Sequence, residues 1–302
     1  MNTIAHFLHF VEIRTKTATV IPFLIGTGYA MFRYGSIGLK QMLLCFFSLL
    51  LFDMAITAIN KHTGSRREGT TPHYSKAVSL AIIFVMCLTA IAIGIYLVFI
   101  TNIVVLFLGV ICFAIGITYS YGPLPIERTP LGDIAAGIVT GGVIPLIAFQ
   151  IQYPLINVAL YDFSRLAINV DLLELLAFTV IVMPMITCIF NLTLANDMCD
   201  FEDDVRAEKY TLVFHIGKEK ALRLFRLGYI LAYLFIVIGV VTRIVPLFTL
   251  LTLLSIIPVR KNIKRFLELQ DNDKTFFTTI INFLAISLPY AAFIWLGSIL
   301  PF

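Results

Sequence analysis

The sequence predicts an all-α, polytopic membrane protein built as a bundle of about nine transmembrane helices. Of its 302 residues, 59% are hydrophobic and only 13% are charged, and the mean hydropathy is +0.95. A soluble domain carries about 25% charged residues, so this composition excludes a soluble fold. About 20 apolar residues cross one bilayer, which leaves no room for a large soluble domain. We therefore expect residues 1–302 to form one integral-membrane domain.

Nine apolar runs, each with at most one charged residue, predict the helices. The seventh and eighth runs are short, and only Arg243 separates them. The runs span residues 17–32, 41–59, 77–100, 103–121, 134–151, 175–195, 227–242, 244–259 and 276–300.

The basic residues predict the orientation of the bundle. A cytoplasmic N-terminus places 18 of the 22 basic residues on the cytoplasmic side of nine helices, leaving Arg33, Lys40, Arg165 and Arg243 on the other side. Because cytoplasmic loops carry an excess of Lys and Arg, we expect a multi-pass protein of the cytoplasmic membrane whose active-site loops face the cytoplasm. The basic residues lie at the ends of the spans, where the positive-inside rule places them, and this accounts for the net charge of +4. We therefore expect no nucleic-acid partner.

Acidic residues are concentrated at the end of the sixth predicted helix, where six of the 18 fall between residues 197 and 208. Thr193, Asp197, Asp200 and Asp204 are spaced by four, three and four, so they share one face if the helix continues. Stacked carboxylates repel one another, so a positive group should lie among them. Oxygen ligands of this kind suit Mg²⁺, which also accepts substrate phosphates. The alternative interpretation is a solvated acidic loop.

The second predicted helix carries a polar stripe of its own. Asp53 interrupts an apolar span, at a cost of about 2.5–3.5 kcal/mol if it faced lipid. Asp53, Thr57, Asn60 and Gly64 repeat the four-three-four spacing, so the stripe should face a cavity or a neighbouring helix. Interhelical hydrogen bonds are the simpler alternative. The basic residues that follow either bind an anion or only obey the positive-inside rule.

Three segments resemble the UbiA superfamily of intramembrane prenyltransferases, most of all its 1,4-dihydroxy-2-naphthoate polyprenyltransferase branch in menaquinone synthesis. Residues 196–212, NDMCDFEDDVRAEKYTL, match the second aspartate motif of the family. Residues 119–133, YSYGPLPIERTPLGD, resemble the branch's tyrosine and its turn rich in Gly and Pro, with an acidic residue that opens the fifth helix. Residues 15–27 are similar to its first helix. The resemblance covers nearly the whole chain.

The resemblance implies a reaction and a set of site residues. Family members ionise a prenyl diphosphate and transfer the allylic cation to an aromatic ring, with Mg²⁺ as cofactor. The implied magnesium ligands are Asp200 and Asp204, supported by Asn196 and Asp197. Lys209 would contact the diphosphate. Tyr119 would line the site of the aromatic acceptor or of the ionising prenyl group.

The first aspartate motif departs from the family pattern of N-x-x-x-D. Asn60 is retained and is a candidate metal ligand and catalytic residue, but Gly64 replaces the aspartate and Thr57 stands where an Asn is usual. One metal-binding carboxylate is therefore missing. Positive side chains beside the diphosphate supply part of the electrostatic stabilisation that a metal ion gives. The candidate substrate-binding residues here are Lys16, Asp53, Lys61, Arg66 and Arg67.

The sequence thus predicts Mg²⁺-dependent transfer of a polyprenyl group from its diphosphate to an aromatic acceptor, 1,4-dihydroxy-2-naphthoate, in menaquinone biosynthesis. The expected partners are the two substrates and the lipid bilayer. One alternative is a diverged UbiA-type protein with another acceptor or with lost catalysis, which the glycine at position 64 favours. Another is a membrane transporter or lipid-binding protein, since prolines inside spans allow broken helices.

Overall fold

The computed structural model describes residues 3–68, 74–162 and 165–300, without the side chains of residues 3, 4, 14, 63–68, 159–162, 165 and 166. The predicted site residues Arg66 and Arg67 therefore lie outside the described side chains. The α-helices are α1 (Thr3–Phe10), α2 (Thr17–Tyr34), α3 (Leu39–Glu68), α4 (Lys76–Ile100), α5 (Ile103–Ser120), α6 (Gly132–Ile138), α7 (Ile144–Gln150), α8 (Leu172–Cys199), α9 (Phe201–Arg206), α10 (Leu212–Ile216), α11 (Lys218–Val241), α12 (Ile256–Glu268) and α13 (Phe276–Ile299). Turns of 3₁₀-helix cover Ile13–Lys16, Ile126–Arg128 and Leu247–Ser255, and a π-helical turn covers Val139–Val143.

The predicted class, a helical membrane bundle, is confirmed. Seven helical stretches of the described residues are long and apolar enough to cross a membrane. They are Leu39–His62, Lys76–Ile100, Ile103–Ser120, Gly132–Gln150, Leu172–Cys199, Lys218–Val241 and Phe276–Ile299. The first predicted span is the helix α2, and the eighth is a 3₁₀-helix that leads into α12. The total of nine spans and the orientation of the bundle stay predictions.

Several helix boundaries differ from the predicted ones. Helix α3 continues to Glu68, past the point where we expected a loop, so the whole polar stripe of the second span lies on one helix. Helix α11 begins at Lys218 rather than at residue 227, because its basic first turns extend the apolar span toward water. Before the eighth span, Arg243 adopts a left-handed backbone with a φ of 58°, and Pro246 then starts the 3₁₀-helix.

A two-stranded hairpin between α7 and α8 was not predicted. Strand β1 (Ile156–Asp162) pairs antiparallel with β2 (Arg165–Val170). The buried amide of Gln150 fixes its start, since Nε2 donates to the Ile156 carbonyl at 2.6 Å and Oε1 accepts from the Ile156 N–H at 3.1 Å. A hydrogen bond from the end of one helix to the next strand leaves no signal in a hydropathy pattern.

Helix α8 lies at the centre of the bundle and packs against α6, α11 and α13. Glycines allow the two closest approaches. A Cβ at Gly141 would lie 2.5 Å from the Ile186 nitrogen, and a Cβ at Gly228 would collide with the side chain of Asn191. Asn191 is buried and donates to the Phe225 carbonyl at 2.9 Å. Small residues at such crossings let membrane helices pack closely, and this packing holds the end of α8 in place.

Candidate active site

Three cavities are joined in series by lining residues that they share. The polar cavity, of about 260 Å³, lies at the end of α8 and shares Tyr119, Leu192 and Thr193 with a central cavity of about 390 Å³. The central cavity in turn shares Leu49, Phe52 and Cys112 with an apolar cavity of about 410 Å³ between α3, α4 and α5. The three joined cavities therefore form one path, which is lined by acidic and basic side chains at one end and by apolar side chains at the other.

The polar cavity is organised around the ammonium group of Lys209. Its Nζ lies 3.1 Å from Asp197 Oδ1 and 2.9 Å from Asp204 Oδ2. Glu208 adopts a left-handed backbone with a φ of 57°, and the Lys209 N–H donates to the Asp204 carbonyl at 2.8 Å. This turn folds the chain back so that the lysine meets the helix that precedes it. The predicted positive group among the carboxylates is Lys209.

Burial and charge act together on this cluster. Burial raises the pKa of the Asp204 carboxyl, Lys209 opposes that shift, and the neighbouring Asp200 and Asp203 add to it. Burial alone would lower the pKa of the Lys209 ammonium, but Asp197 and Asp204 outweigh it, so its pKa is raised. The lysine therefore keeps its positive charge.

Asp200 takes a different place from the other two carboxylates. It lies at the junction of α8 and α9, where its N–H donates to the Asn196 carbonyl and its own carbonyl accepts from the Asp204 N–H, at 2.9 and 2.8 Å. Helical spacing thus continues across the junction. Asn196 Nδ2 donates to Asp200 Oδ2 at 3.0 Å, and Asn272 donates to Oδ1. Amide donors to both oxygens hold this carboxylate in one orientation.

Two residues of the site, Asn272 and Asp133, were not among the predicted site residues. Asn272 lies between α12 and α13, far along the chain from its partner. Asp133 opens α6, lines the polar cavity together with Asp197, and is only 3% exposed. The sequence signal that could have found Asp133 is an acidic residue in the first turn of an apolar span, where ionisable groups are usually functional. No signal in the sequence marked Asn272.

A second polar cluster lies on the wall of the central cavity. Lys16 Nζ donates to Asp53 Oδ1 at 3.1 Å, to Thr57 Oγ1 at 2.6 Å and to the Asp53 carbonyl at 3.3 Å. Thr19 Oγ1 donates to Asp53 Oδ2 at 2.7 Å. The Lys16 side chain is 4% exposed and the Asp53 side chain 27%. The carboxylate is therefore the charged group of this pair that faces the cavity.

The remaining predicted residues are placed separately. Tyr119 lies where the polar and central cavities meet, and Asn60 lines the central cavity. Neither cavity is lined by Asp200 or Asp204. The Lys61 ammonium lies 3.0 Å from Glu12 Oε1 and donates to the His9 carbonyl at 2.6 Å, so it ties α3 to the N-terminal segment.

The residues fit a magnesium ion by their chemistry. Asp197 and Asp204 already hold a cation, the ammonium of Lys209, and Asp200 beside them is oriented by two amides. Within the described residues, no three His, Cys, Asp or Glu side chains converge on one point. Mg²⁺ takes one or two carboxylates and completes its shell with water and phosphate oxygens, and the carboxylates of this segment are oxygen donors of that kind.

Helices long and apolar enough to cross a membrane thus surround both a charged cavity and an apolar one. Residues 19–297 match the family model described as UbiA prenyltransferase family. The chain belongs to the UbiA prenyltransferase family and is a prenyltransferase embedded in a membrane. The predicted resemblance is confirmed, and a transporter is set aside.

Individual relatives agree with this assignment. The chain is 28% identical over 270 residues to the 1,4-dihydroxy-2-naphthoate octaprenyltransferase of Bacillus subtilis (strain 168), covering 84% of this chain and 79% of that protein. A UbiA homologue from Archaeoglobus fulgidus bound to GPP and Mg²⁺ has a TM-score of 0.67 at 12% identity, over 96% of this chain and 98% of that one. The apo UbiA homologue from Aeropyrum pernix K1 has a TM-score of 0.65 at 18% identity, over 92% and 98%. The two structures share the fold.

Replacing Lys209 by Met should destabilise the protein strongly when no magnesium is present. The side chains of Asp197 and Asp204 are 11% and 14% exposed, and breaking a buried ion pair costs about 3–5 kcal/mol. The double variant Asp197→Asn, Lys209→Met should recover part of this loss. Lys61→Met is the matched control, because its partner Glu12 is 44% exposed. The measurement is thermal unfolding in detergent of the wild type and these three variants. Equal losses of stability in Lys209→Met and Lys61→Met would contradict the central role of Lys209.

Proposed function

We propose that this protein transfers a polyprenyl group from its diphosphate to 1,4-dihydroxy-2-naphthoate, in a Mg²⁺-dependent step of menaquinone biosynthesis at the cytoplasmic face of the cytoplasmic membrane. The row of three cavities carries this proposal. The cavities match, in order, a diphosphate, an aromatic ring with a reactive carbon, and a hydrocarbon chain. The name of the Bacillus subtilis relative, a 1,4-dihydroxy-2-naphthoate octaprenyltransferase, supports the acceptor and a polyprenyl donor.

The diphosphate would bind in the polar cavity, where Lys209 supplies a charge-assisted donor. Asp200 and Asp204 are our proposed magnesium ligands, and Asn60 is the ligand left from the first motif. When bound, Mg²⁺ stabilises the negative charge that develops on the departing diphosphate. Asn196 and Asn272 hold Asp200 in orientation, and Asp197 keeps the lysine ammonium beside the leaving group.

Carbon–carbon bond formation would take place in the central cavity. The bond between prenyl C1 and the diphosphate oxygen breaks, and its electron pair leaves with the diphosphate. A carbon of the acceptor ring then bonds to C1, and the ring loses a proton or carbon dioxide to regain aromaticity. Tyr119 and Phe52 line this cavity, and an aromatic ring face stabilises a cation. The apolar walls exclude water, which would otherwise capture the cation.

The acceptor would be held by the cluster of Lys16 and Asp53. The carboxylate of Asp53 faces the cavity and is fixed by Lys16 and Thr19. It is thus placed to accept a hydrogen bond from a ring hydroxyl and to increase the electron density of the ring. The three N–H donors of Lys16 all bind Asp53 and Thr57, so its main role is to hold the Asp53 carboxylate in one orientation.

The distal isoprene units would occupy the apolar cavity. It joins the central cavity beside Phe52, which stacks on Phe113 with ring centroids 3.7 Å apart. Gly94 and Gly109 keep it wide, because a Cβ at Gly109 would meet nothing within 4 Å and one at Gly94 would meet only Ser48 Oγ at 3.8 Å. Exposed residues such as Val110 form its edge, so a long chain can extend into the lipid.

A diverged enzyme with another acceptor is the second candidate. The observations that favour it are Gly64 in the first motif and the pairing of Lys61 with Glu12, which points that lysine away from the diphosphate. Membranes supplied with a polyprenyl diphosphate, Mg²⁺ and other aromatic acceptors would reveal such an activity.

The first test of the proposed function is prenyl transfer in isolated membranes. Polyprenyl diphosphate, 1,4-dihydroxy-2-naphthoate and Mg²⁺ should yield prenylated product, and Asp204→Ala should lower the rate by at least about 100-fold because the leaving group loses its electrostatic stabilisation. Asp203→Ala is the matched control, since its carboxylate is 80% exposed in the same segment. Absence of product from inserted wild-type protein would count against this acceptor.

Asp53→Asn should raise the KM for the acceptor by about tenfold, because a hydrogen bond to a charged group is lost. The KM for the prenyl diphosphate should stay unchanged. Glu174→Gln is the control: its buried carboxylate accepts from Tyr29 and Arg33 and lines none of the three cavities. Steady-state kinetics with each substrate varied in turn measure both constants. An effect of Asp53→Asn on the donor alone would refute the acceptor assignment.

Gly109→Phe should make the enzyme prefer short prenyl donors. The ring would fill the apolar cavity without touching the backbone, so kcat/KM for a polyprenyl diphosphate should fall by about tenfold while that for dimethylallyl diphosphate stays within about twofold. Val85→Phe is the control, on an exposed position of α4 outside the cavity. An equal loss with both donors would show that the cavity holds something other than the donor chain.

A further inference from the structure

The first aspartate motif of this chain lacks a carboxylate at Gly64, and a buried carboxylate elsewhere has one oxygen without a hydrogen-bond partner among the described residues. Asp133 is 3% exposed, and its Oδ2 atom is buried without a hydrogen-bond partner among the described residues. A buried polar oxygen left unpaired costs free energy, so an ion or a ligand group is expected to satisfy it.

The charges around Asp133 indicate what kind of partner it binds. Asp133 and Asp197 line the polar cavity, Asp204 joins them through Lys209, and Glu127 lines the same wall. One ammonium thus faces at least three carboxylates. When these are ionised, two or more negative charges remain uncompensated in a largely buried place, and a divalent cation would neutralise them.

The backbone holds Asp133 in this position. A Cβ at Gly132 would lie 3.2 Å from both the Ile126 carbonyl oxygen and the Glu127 Cα, so the glycine lets the preceding loop pack onto the start of α6. The same loop is joined to the chain beside Lys209, because Arg128 Nη1 donates to the Ala207 carbonyl at 3.1 Å and the Tyr210 N–H donates to the Arg128 carbonyl at 3.1 Å. The two segments therefore enclose the polar cavity together.

We propose that Asp133 is a divalent-cation ligand of this protein, which acts together with Asp197 and the phosphate oxygens of the donor and supplies the carboxylate that Gly64 lacks. The proposal rests on the proposed function only for the phosphate partner. The binding of the cation itself is a property of Asp133 and its neighbours in the polar cavity, and it is measurable without catalysis.

Titration of the purified, full-length protein in detergent with Mn²⁺, followed by electron paramagnetic resonance with and without inorganic pyrophosphate, tests this role. Asp133→Asn should weaken Mn²⁺ binding by at least about tenfold, and Asp133→Glu should restore part of it. Glu174→Gln is the matched control, a buried carboxylate remote from the cavities. Thermal unfolding without metal should show Asp133→Asn to be no less stable than the wild type, because it removes an unpaired buried charge.

The outcomes separate this proposal from the proposed function. Equal Mn²⁺ affinity in Asp133→Asn and in the wild type would overturn it and make Asp133 a proton acceptor or a structural residue. Weaker Mn²⁺ binding in Asp133→Asn supports it even if the wild type forms no product with 1,4-dihydroxy-2-naphthoate. Product formation by a wild type that binds no Mn²⁺ with pyrophosphate would also overturn it.

Discussion

The contact between Lys209 and the carboxylates of Asp197 and Asp204 is the interaction on which the rest of the site depends. These three charges lie where α8 leaves the apolar part of the bundle, and burying them separately would cost several kcal/mol each. The turn at Glu208 brings the lysine back to the helix, so the cost is offset within one short segment. The charged cavity therefore persists at the edge of a hydrocarbon interior, which is the condition for ionising a diphosphate next to an apolar chain.

Helix α8 connects this cluster to the apolar path. Its Leu192 and Thr193 lie on the walls of both the polar and the central cavity, and its close packing at Ile186 and Asn191 fixes their depth. Tyr119 at one junction and Phe52 at the other divide the path into three compartments. A substrate with a charged head, a reactive carbon and a hydrocarbon tail would fit this order in one direction only, as the proposed function requires.

The sequence anticipated the parts of the site that are local in the chain. The spacing of Thr193, Asp197, Asp200 and Asp204 predicted a shared face with a positive group among the carboxylates. In the structure Lys209 lies between Asp197 and Asp204, whereas Asp200 is bound by Asn196 and Asn272. The polar stripe through Asp53 predicted a cavity or partner, and the structure provides both, with Lys16 as the partner. Asn272 and the β1–β2 hairpin were not predicted, because their contacts join different segments of the chain. Hydropathy patterns carry information only about residues that are close in sequence.

Composition and periodicity alone determined that this chain is a helical membrane bundle with an acidic site at the end of one span, because the bilayer imposes the length and polarity of every crossing. The aspartate motif alone indicated the family. Only the tertiary structure decided that Asp133 and Asp197 line one cavity, that Lys61 pairs with Glu12, and that the three cavities share lining residues. These features depend on which faces of separate helices come together. Close packing at glycines such as Gly132 and Gly141 determines which faces meet.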